Sequence, residues 1–302
     1  MSDVDTVIRC EGLTKYYGRS RGVEALNLEV RPGQVYGFLG PNGAGKTTTI
    51  RCLLSLLRPT SGQAYLFDQP VGLDGRELRR RIGYVAGDPA LFAKQTGRWT
   101  LDYIAGLRGS PGPAEAELCE RLQFDPSRRV KELSKGNRQK LALVVALMHH
   151  PDLLILDEPT SGLDPLNQQV VFDILEERVA NGATVFLSSH ILPEVERVCE
   201  RVAIIRDGAM VAEESVEALV AKAIRTVTVV YTEPVPDEFV ARLQQRVPVD
   251  RVGNAGLTAR VSEDIGGVLR EFLARPVTDV TVEHVSLEDV FLQYYTGGGG
   301  AK

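Results

Sequence analysis

Cysteine, methionine and tryptophan are scarce: the chain of 302 residues contains four, three and one of them. The cysteines are widely separated, at Cys10, Cys52, Cys119 and Cys199, and no C-x-x-C pair occurs. All but Cys119 lie in apolar stretches. This pattern does not fit a disulfide framework or a cysteine-based metal cluster, and it favours buried thiols in a reducing compartment.

Long hydrophobic runs are missing too. The longest, Leu141–Met148, has eight residues, whereas a membrane-spanning helix needs about 20. The first residues, MSDVDTVIRCEG, carry acids and no apolar segment of the kind found in signal peptides. The chain is therefore expected not to cross a membrane itself.

An excess of positive charge is also absent. Forty acidic residues outnumber 35 basic ones, which gives a net charge of −5 and a pI near 5.6. The protein therefore has no overall basic field, and no nucleic-acid partner is expected. A hydrophobic content of 43% and a charged content of 25% are ordinary for a globular protein. The length predicts about two domains.

Strand and helix patterns alternate over the first 222 residues. This alternation predicts an α/β fold with a mainly parallel sheet, whose ligands bind at the carboxyl ends of the strands. Helical spacing dominates from about residue 88 to 150. The predicted strands are Val7–Cys10, Val23–Val30, Val35–Leu39, Gln63–Phe67, Ile82–Val85, Leu153–Leu156, Val185–Leu187 and Val202–Ile205. The predicted helices include Thr48–Leu54, Asp74–Arg81, Ala114–Leu122, Gly136–His149 and Leu166–Ala180.

A second, smaller domain is predicted over residues 226–295. Its pattern is strand, helix, strand, strand, helix, strand, which is typical of the split β-α-β ferredoxin-like motif. A final helix, Leu287–Tyr295, is predicted with Ser286 as its N-cap, and residues 296–302 are expected to form a flexible tail. Regulatory dimerisation and simple scaffolding both remain possible roles for this domain.

The stretch GPNGAGKTT, from Gly40 to Thr48, follows a predicted buried strand and precedes a predicted helix. It fits the phosphate-loop pattern G-x-x-x-x-G-K-[ST]. Such a loop turns successive backbone N–H groups toward anionic oxygens, and the helix adds its positive end. An ordinary glycine-rich turn is the alternative, and the agreement of strand, loop and helix disfavours it. The expected nucleotide-binding residues here are Gly40, Pro41, Asn42, Gly43, Ala44, Gly45, Lys46, Thr47 and Thr48.

A second stretch, Leu153–Pro159, places two acids directly after an apolar strand. Asp157 is expected to face the phosphate loop and to help hold Mg²⁺ together with the Thr47 hydroxyl. Glu158 is expected to act as the general base toward an attacking water. The alternative is a strand that simply ends in charge, and the phosphate loop upstream disfavours it.

A third stretch, LSKGNRQ from Leu133 to Gln139, precedes an apolar helix. Ser134 is a good N-cap, and Gly136 permits close approach of a ligand. A capped helix end with free amides can bind phosphate. On its own, however, this stretch indicates no more than a capped helix.

Together these stretches resemble the nucleotide-binding subunit of ATP-binding cassette (ABC) transporters. Residues 133–137 correspond to the family's signature sequence, and the two earlier stretches correspond to its Walker A and Walker B motifs. Its D-loop is found at Ser161–Asp164 and its switch histidine at His190. The resemblance covers about residues 7–222. It implies a P-loop NTPase cassette with a mainly parallel core sheet, an antiparallel N-terminal β part and a helical subdomain.

The resemblance implies a head-to-tail pair of copies with two ATP molecules between them. Phosphate contacts then come from Lys46, and His190 contacts the γ-phosphate. The partner copy's Ser134, Gly136 and Asp164 complete each site. Tyr17 resembles the aromatic residue that stacks on adenine, whereas Tyr16 should point the other way along the strand.

One position departs from the family. A glutamine usually follows the strand that here reads Ile82–Ala86, but this chain has Gly87 and then Asp88. Either Asp88 substitutes for the glutamine near Mg²⁺, or Asp88 is an exposed acid and the backbone and neighbouring loops take over.

The form of the motifs and the additional C-terminal domain are similar to subunits of drug and antibiotic exporters. This similarity implies an integral membrane permease as partner and a place on the cytoplasmic face of the membrane. Two alternatives are a soluble ABC ATPase that acts on nucleic acid or ribosomes and a dinucleotide-dependent oxidoreductase. The first usually has coiled-coil insertions or two cassettes in one chain, and the second needs neither Lys46 nor the acid pair.

Overall fold

The computed structural model describes residues 5–72, 75–109, 112–221, 225–261 and 264–283. The chain divides into two compact units, Met1–Ser215 and Val216–Lys302. The sequence pattern places the end of the first domain at residue 222, so the helix Val216–Ala221 falls on the other side of the observed division. The predicted helix Leu287–Tyr295 and the predicted tail lie outside the described residues.

The elements of the first unit follow the predicted alternation. In chain order they are β1 (Ile8–Tyr17), β2 (Ser20–Val30), β3 (Val35–Leu39), α1 (Lys46–Leu53), β4 (Ser61–Leu66), β5 (Gln69–Pro70), α2 (Arg76–Arg80), β6 (Ile82–Val85), α3 (Gly97–Arg108), α4 (Glu115–Arg121), a 3₁₀ helix (Val130–Glu132), α5 (Lys135–Leu147), β7 (Leu153–Asp157), α6 (Pro165–Ala180), β8 (Thr184–Ser189), α7 (Leu192–Val198), β9 (Arg201–Arg206) and β10 (Ala209–Ser215).

A six-stranded sheet in the order β10-β9-β3-β8-β7-β6 forms the centre of this unit. All neighbouring pairs are parallel except β9 and β10. Every residue of β3 and β7 is buried, as expected for apolar strands covered on both faces of a parallel sheet. The mainly parallel sheet is therefore confirmed, and its carboxyl ends lie at the phosphate loop and the acid pair.

A second, antiparallel sheet in the order β2-β1-β4-β5 is formed by the N-terminal part of the unit. Strand β1 is longer than predicted, because a register shift between Cys10 and Leu13 carries it past Gly12 as far as Tyr17. One apolar core joins this sheet to α1 and to the central strands. Phe186 lies within it, against the rings of Tyr36 and Phe38.

Helices α3, α4 and α5 and the 3₁₀ helix occupy the predicted helical region. Thr96 caps α3 by accepting a hydrogen bond from the Trp99 N–H. On the surface of this region Trp99 stacks on Tyr103, and Phe92 meets both rings edge-on. All three rings are exposed.

The second unit contains α8 (Val216–Ala221), β11 (Arg225–Tyr231), α9 (Asp237–Gln244), β12 (Val249–Val252), β13 (Gly256–Val261), α10 (Ile265–Phe272) and β14 (Val277–Glu283). Its antiparallel sheet has the order β12-β13-β11-β14. From β11 onward the elements follow the predicted ferredoxin-like order. The side chains of Val227, Val229, Leu257 and Phe272 belong to one buried cluster. Across the described residues of the whole chain, no helix is long and apolar enough to cross a membrane.

Candidate nucleotide-binding and catalytic site

The phosphate loop runs from the end of β3 to the start of α1, and two of its glycines are required by space or conformation. A Cβ at Gly40 would lie 2.4 Å from the carbonyl oxygen of Ile205. Gly45 has φ of 109°, and a Cβ there would lie 2.4 Å from the Gly22 carbonyl oxygen. Only glycine fits both positions. The loop is therefore held tightly between β9 and β2, with the positive end of α1 directed at it.

Lys46, the first residue of α1, is buried inside this loop. Its ammonium donates hydrogen bonds to the carbonyl oxygens of Gly40 at 2.6 Å and Pro41 at 3.2 Å. Burial lowers the pKa of Lys46, and the negative charges of Glu158 and Asp157 oppose that shift. The ammonium thus lies inside the loop and is bonded to the loop's own carbonyl oxygens.

Asp157, at the end of β7, joins the phosphate loop to the acid pair. The Thr47 hydroxyl donates a hydrogen bond of 2.7 Å to one carboxylate oxygen, and the Ser188 hydroxyl donates to the other. Ser188 is in register with Asp157 on the neighbouring strand β8. The expected position of Asp157 beside Thr47 is confirmed, whereas the contribution of Ser188 is not predicted from the sequence.

The groups beside the phosphate loop fit Mg²⁺, because a hydroxyl and a carboxylate supply the hard oxygen ligands that this ion prefers. Among the residues that the structure describes, no group of three His, Cys, Asp or Glu side chains could hold a metal ion. A cation at this place would therefore take one carboxylate and one hydroxyl from the chain, and its other ligands from phosphate and water. This is the usual way in which Mg²⁺ is bound in nucleotide sites.

Glu158 and His190 are brought together although 32 positions separate them. His190 Nδ1 lies 2.9 Å from a carboxylate oxygen of Glu158. Glu158 has a left-handed backbone, with φ of 49°, and its N–H donates to the Ser188 carbonyl at 3.0 Å. A left-handed conformation is unfavourable for a residue with a side chain. The surrounding fold therefore imposes this backbone conformation on Glu158. The Glu158 side chain lies at the cleft described next.

The cleft has a volume of about 290 Å³. Tyr17 lies on one side of it, with its hydroxyl 3.4 Å from the hydroxyl of Thr48. The neighbouring Tyr16 instead donates a hydrogen bond of 2.6 Å to Glu24. Tyr17 thus faces the cleft and Tyr16 does not line it, as the strand pattern predicts. The cleft is lined by Tyr17, Arg21, Gly22, Pro41, Asn42, Gly43, Gly45, Lys46, Thr47, Thr48 and Glu158.

The signature sequence and the D-loop are packed against each other. Ser134 caps α5 as predicted, because its hydroxyl accepts a hydrogen bond of 3.2 Å from the Asn137 N–H. Lys135 donates to the Ser161 hydroxyl at 2.8 Å. A Cβ at Gly136 would lie 2.5 Å from the Gly162 carbonyl oxygen. The start of α5 is therefore in close contact with the D-loop.

Further along α5, Gln139 is buried and donates to the carbonyl oxygen of Pro159 at 2.9 Å. The sequence gives no sign of this contact.

Asp164 caps α6 by accepting a hydrogen bond of 3.0 Å from the Asn167 N–H. That backbone hydrogen bond lowers the pKa of the Asp164 carboxyl. In the part of the chain that the structure describes, Ser134, Gly136 and Asp164 do not line the cleft. One copy therefore does not bring the two groups of predicted nucleotide-binding residues together.

At the position where the family usually has a glutamine, the backbone runs next to Asp157. A Cβ at Gly87 would lie 3.8 Å from a carboxylate oxygen of Asp157. The following residue, Asp88, is exposed. Glycine thus stands near Asp157 where the family usually has a glutamine, and it adds no side-chain oxygen there.

Comparison with known proteins gives a consistent result. Residues 23–161 match the ABC transporter family. The chain is 35% identical to the bacitracin transport ATP-binding protein BcrA of Bacillus licheniformis, over 98% of this chain and 99% of that protein. It is 36% identical to the probable multidrug ABC transporter ATP-binding protein YbhF of Escherichia coli (strain K12), over 72% of this chain and 39% of that protein. It is 37% identical to the Nod factor export ATP-binding protein I of Paraburkholderia xenovorans (strain LB400), over 73% of this chain and 74% of that protein.

Solved structures show the same fold. An ATP-binding subunit of an ABC transporter superposes with a TM-score of 0.65 and 29% identity, over 71% of this chain and 92% of that one. A dimeric ATP-binding cassette in a post-hydrolysis state, bound to ADP and Pi, superposes with a TM-score of 0.63 and 24% identity, over 69% and 98%. The chain therefore belongs to the ABC transporter family and is one of its ATP-binding, ATP-hydrolysing subunits.

Proposed function

We propose that two copies of this chain bind two ATP molecules at shared sites and hydrolyse them to drive a separate integral membrane permease. The observation that carries the proposal is the convergence of Lys46, Thr47, Asp157, Glu158 and His190 at one edge of the sheet. Ser134, Gly136 and Asp164 are the residues that the second copy would contribute, which explains why they do not line the cleft of their own chain.

Each side chain has a definite task in this proposal. Lys46 and the loop amides bind the phosphates, and Tyr17 stacks on the adenine. Thr47 and Asp157 would hold Mg²⁺, which supplies positive charge to the phosphate oxygens when it is bound. Glu158 accepts a proton from the attacking water. His190 contacts the γ-phosphate and orients Glu158 through their hydrogen bond.

Ser188 supports this arrangement by holding the second oxygen of Asp157. The oxygen that accepts the hydrogen bond from Thr47 is thereby fixed in direction. A fixed carboxylate loses less freedom when it binds an ion, so its orientation contributes to affinity.

The transported compound is proposed to be a drug, an antibiotic or another hydrophobic compound that is exported. The support comes from relatives whose names refer to bacitracin transport, multidrug transport and Nod factor export. The relative named for bacitracin matches nearly the whole chain, including residues 226–295. In this proposal the chain works at the cytoplasmic face of the membrane, held there by the permease. Residues 1–222 form the cassette, and residues 226–295 form an accessory domain.

Replacing Glu158 by Gln tests the catalytic part. Glutamine keeps an oxygen that accepts a hydrogen bond from His190 but cannot take a proton from water. ATP should therefore bind normally, while kcat falls by about 10²–10⁴-fold. Glu176→Gln, at an exposed position of α6, is the matched control and should retain wild-type turnover. Retention of hydrolysis by the Glu158 variant would remove that residue from the role of general base.

Purification of the tagged chain from detergent-solubilised membranes tests the transport part. A polytopic membrane protein should copurify with it, and the ATPase rate should change when the two are reconstituted in vesicles. Copurification with ribosomes or nucleic acid instead would favour the soluble alternative and would end the transport proposal.

A further inference from the structure

Glu194 is a buried carboxylate that the proposed chemistry does not use. It lies on α7, four residues after His190, and is 7% exposed. Burial raises the pKa of its carboxyl. An ionised carboxyl in such a place is costly unless hydrogen bonds satisfy its oxygens. The contacts of this side chain therefore need an explanation.

Each oxygen of the Glu194 carboxylate accepts one hydrogen bond from a buried hydroxyl. Thr160 donates to one oxygen at 2.8 Å, and Ser189 donates to the other at 3.2 Å. The Ser189 hydroxyl in turn accepts from the Ile191 N–H at 2.9 Å. Both hydroxyl donors are 2% exposed, so water does not compete with these bonds.

The two donors belong to the two segments that carry the catalytic pair. Thr160 comes two residues after Glu158, and Ser189 directly precedes His190. Those two side chains lie 2.9 Å apart. The carboxylate of Glu194 thus joins the backbone segment of the general base to the backbone segment of the histidine, behind the atoms that face the cleft.

We infer that Glu194 is a positioning residue that fixes Glu158 against His190 and links the D-loop to the histidine. This inference rests on the proposed function. Thr160 directly precedes the D-loop segment Ser161–Asp164, which the second copy is proposed to approach. A shift of that segment on dimer formation reaches His190 through Thr160, Glu194 and Ser189. The geometry for hydrolysis is then set by the paired state.

The pairing of residues makes the inference testable by a double-mutant cycle. Glu194→Leu should lower kcat by about 10²-fold, the effect of a displacement of about 1 Å in a catalytic group. Nucleotide affinity should change by less than about twofold, because Glu194 does not line the cleft in the described structure. If Glu194 acts through His190, the same change in a His190→Ala background should cost less than about threefold more.

Single-turnover hydrolysis of radiolabelled ATP measures all four proteins, and thermal unfolding shows whether each is folded. If Glu194→Leu does not fold, Glu194→Gln carries the same cycle, because its amide retains an acceptor for Thr160 but has no second one for Ser189. Glu196→Gln, at an exposed position of the same helix, is the control and should match the wild type. If Glu194→Leu lowers the hydrolysis rate by the same factor in the His190→Ala background as in the wild type, the two residues act independently and the inference is overturned.

A readout independent of turnover comes from the histidine ring signals in NMR, since the chain has only four histidines. Thr160→Val removes one of the hydroxyl donors without changing any charge. It should shift the His190 ring signals, and the His149 signals should stay in place. Unchanged His190 signals would also overturn the inference. If instead wild-type protein shows no ATPase and Glu158→Gln changes nothing, the proposed function fails, whereas the NMR result still decides whether the link exists.

Discussion

Two helical glycines with opposite surroundings allow a sharp test of the contact between signature and D-loop. Gly136 lies in the first turn of α5, and Gly106 lies within α3. Exchange of glycine for alanine within a helix normally stabilises a protein by about 0.5–1 kcal/mol. At Gly106, where a Cβ would meet nothing within 4 Å, this gain should be observed in full.

At Gly136 the same exchange for alanine should destabilise the protein instead. A Cβ there would lie 2.5 Å from the Gly162 carbonyl oxygen, and ordinary contact begins at about 3.4 Å, so the D-loop must move by most of an ångström. Overpacking of this kind costs about 1–3 kcal/mol. After the gain in helix propensity is subtracted, Gly136→Ala should lower the free energy of unfolding by about 1 kcal/mol.

Urea denaturation of the two variants measures both values, and an ATPase assay follows the consequence. Because the displaced segment leads from Glu158 to Asp164, Gly136→Ala should also lower kcat by about 10- to 100-fold, while Gly106→Ala should leave it unchanged. If both variants are stabilised equally, or if Gly136→Ala hydrolyses ATP at the wild-type rate, the packing argument is wrong.

Three further predictions concern single positions. Tyr17→Ala should weaken ATP binding in calorimetry by about 1–3 kcal/mol, the value of one stacked base, and Tyr16→Ala should not; the reverse result would assign the stacking to Tyr16. Asp88→Ala should retain Mg²⁺-dependent ATPase activity within about twofold, since Asp88 is exposed; a tenfold loss in a magnesium titration would show that it replaces the missing glutamine. Burial, and to a lesser degree the charge of Arg108, lowers the pKa of His149 from 6.5 to about 4. Below pH 6.5 the unfolded chain therefore takes up a proton that the folded chain does not, so stability falls as the pH falls toward 4. Between pH 7 and 5 this residue should lower the free energy of unfolding by about 1 kcal/mol after allowance for partial exposure. Urea denaturation of His149→Phe should show that this pH-dependent loss is gone. An unchanged pH dependence in the variant would contradict the attribution of the loss to His149.

The features that the sequence predicts well are those whose chemistry is local. The phosphate loop, the acid pair and the Ser134 cap each depend on a few consecutive residues. Their positions at strand and helix ends follow from the neighbouring apolar runs, and the structure confirms those positions. Asp157 beside Thr47 follows in the same way, because the ends of parallel strands meet at one edge.

Contacts between distant segments are what the sequence does not reveal. Glu194 and Thr160 are 34 positions apart, and neither belongs to a pattern that marks the other. The left-handed backbone of Glu158 also has no sequence signal, because glycine is the residue that such a conformation ordinarily favours.

Strand β10 and helix α7 of the first unit are likewise absent from the prediction, each for a physical reason. Strand β10 is half-buried along most of its length, so its residues lack the alternation that marks a strand. Helix α7 has only seven residues and carries a proline in its first turn. Its apolar pattern therefore spans too few turns to be recognised as a helix. Helix α3, in contrast, is longer and falls in the region from about residue 88 to 150 where helical spacing is predicted.

The central place of β3 has a consequence for hydrogen exchange. Both edges of this strand are bonded to parallel neighbours, β8 and β9, so its amide protons can reach solvent only when the sheet separates on one side. The outer strands β6 and β10 can fray first. Local opening therefore starts on the outer strands, and the phosphate loop that follows Leu39 is attached to the strand that opens last.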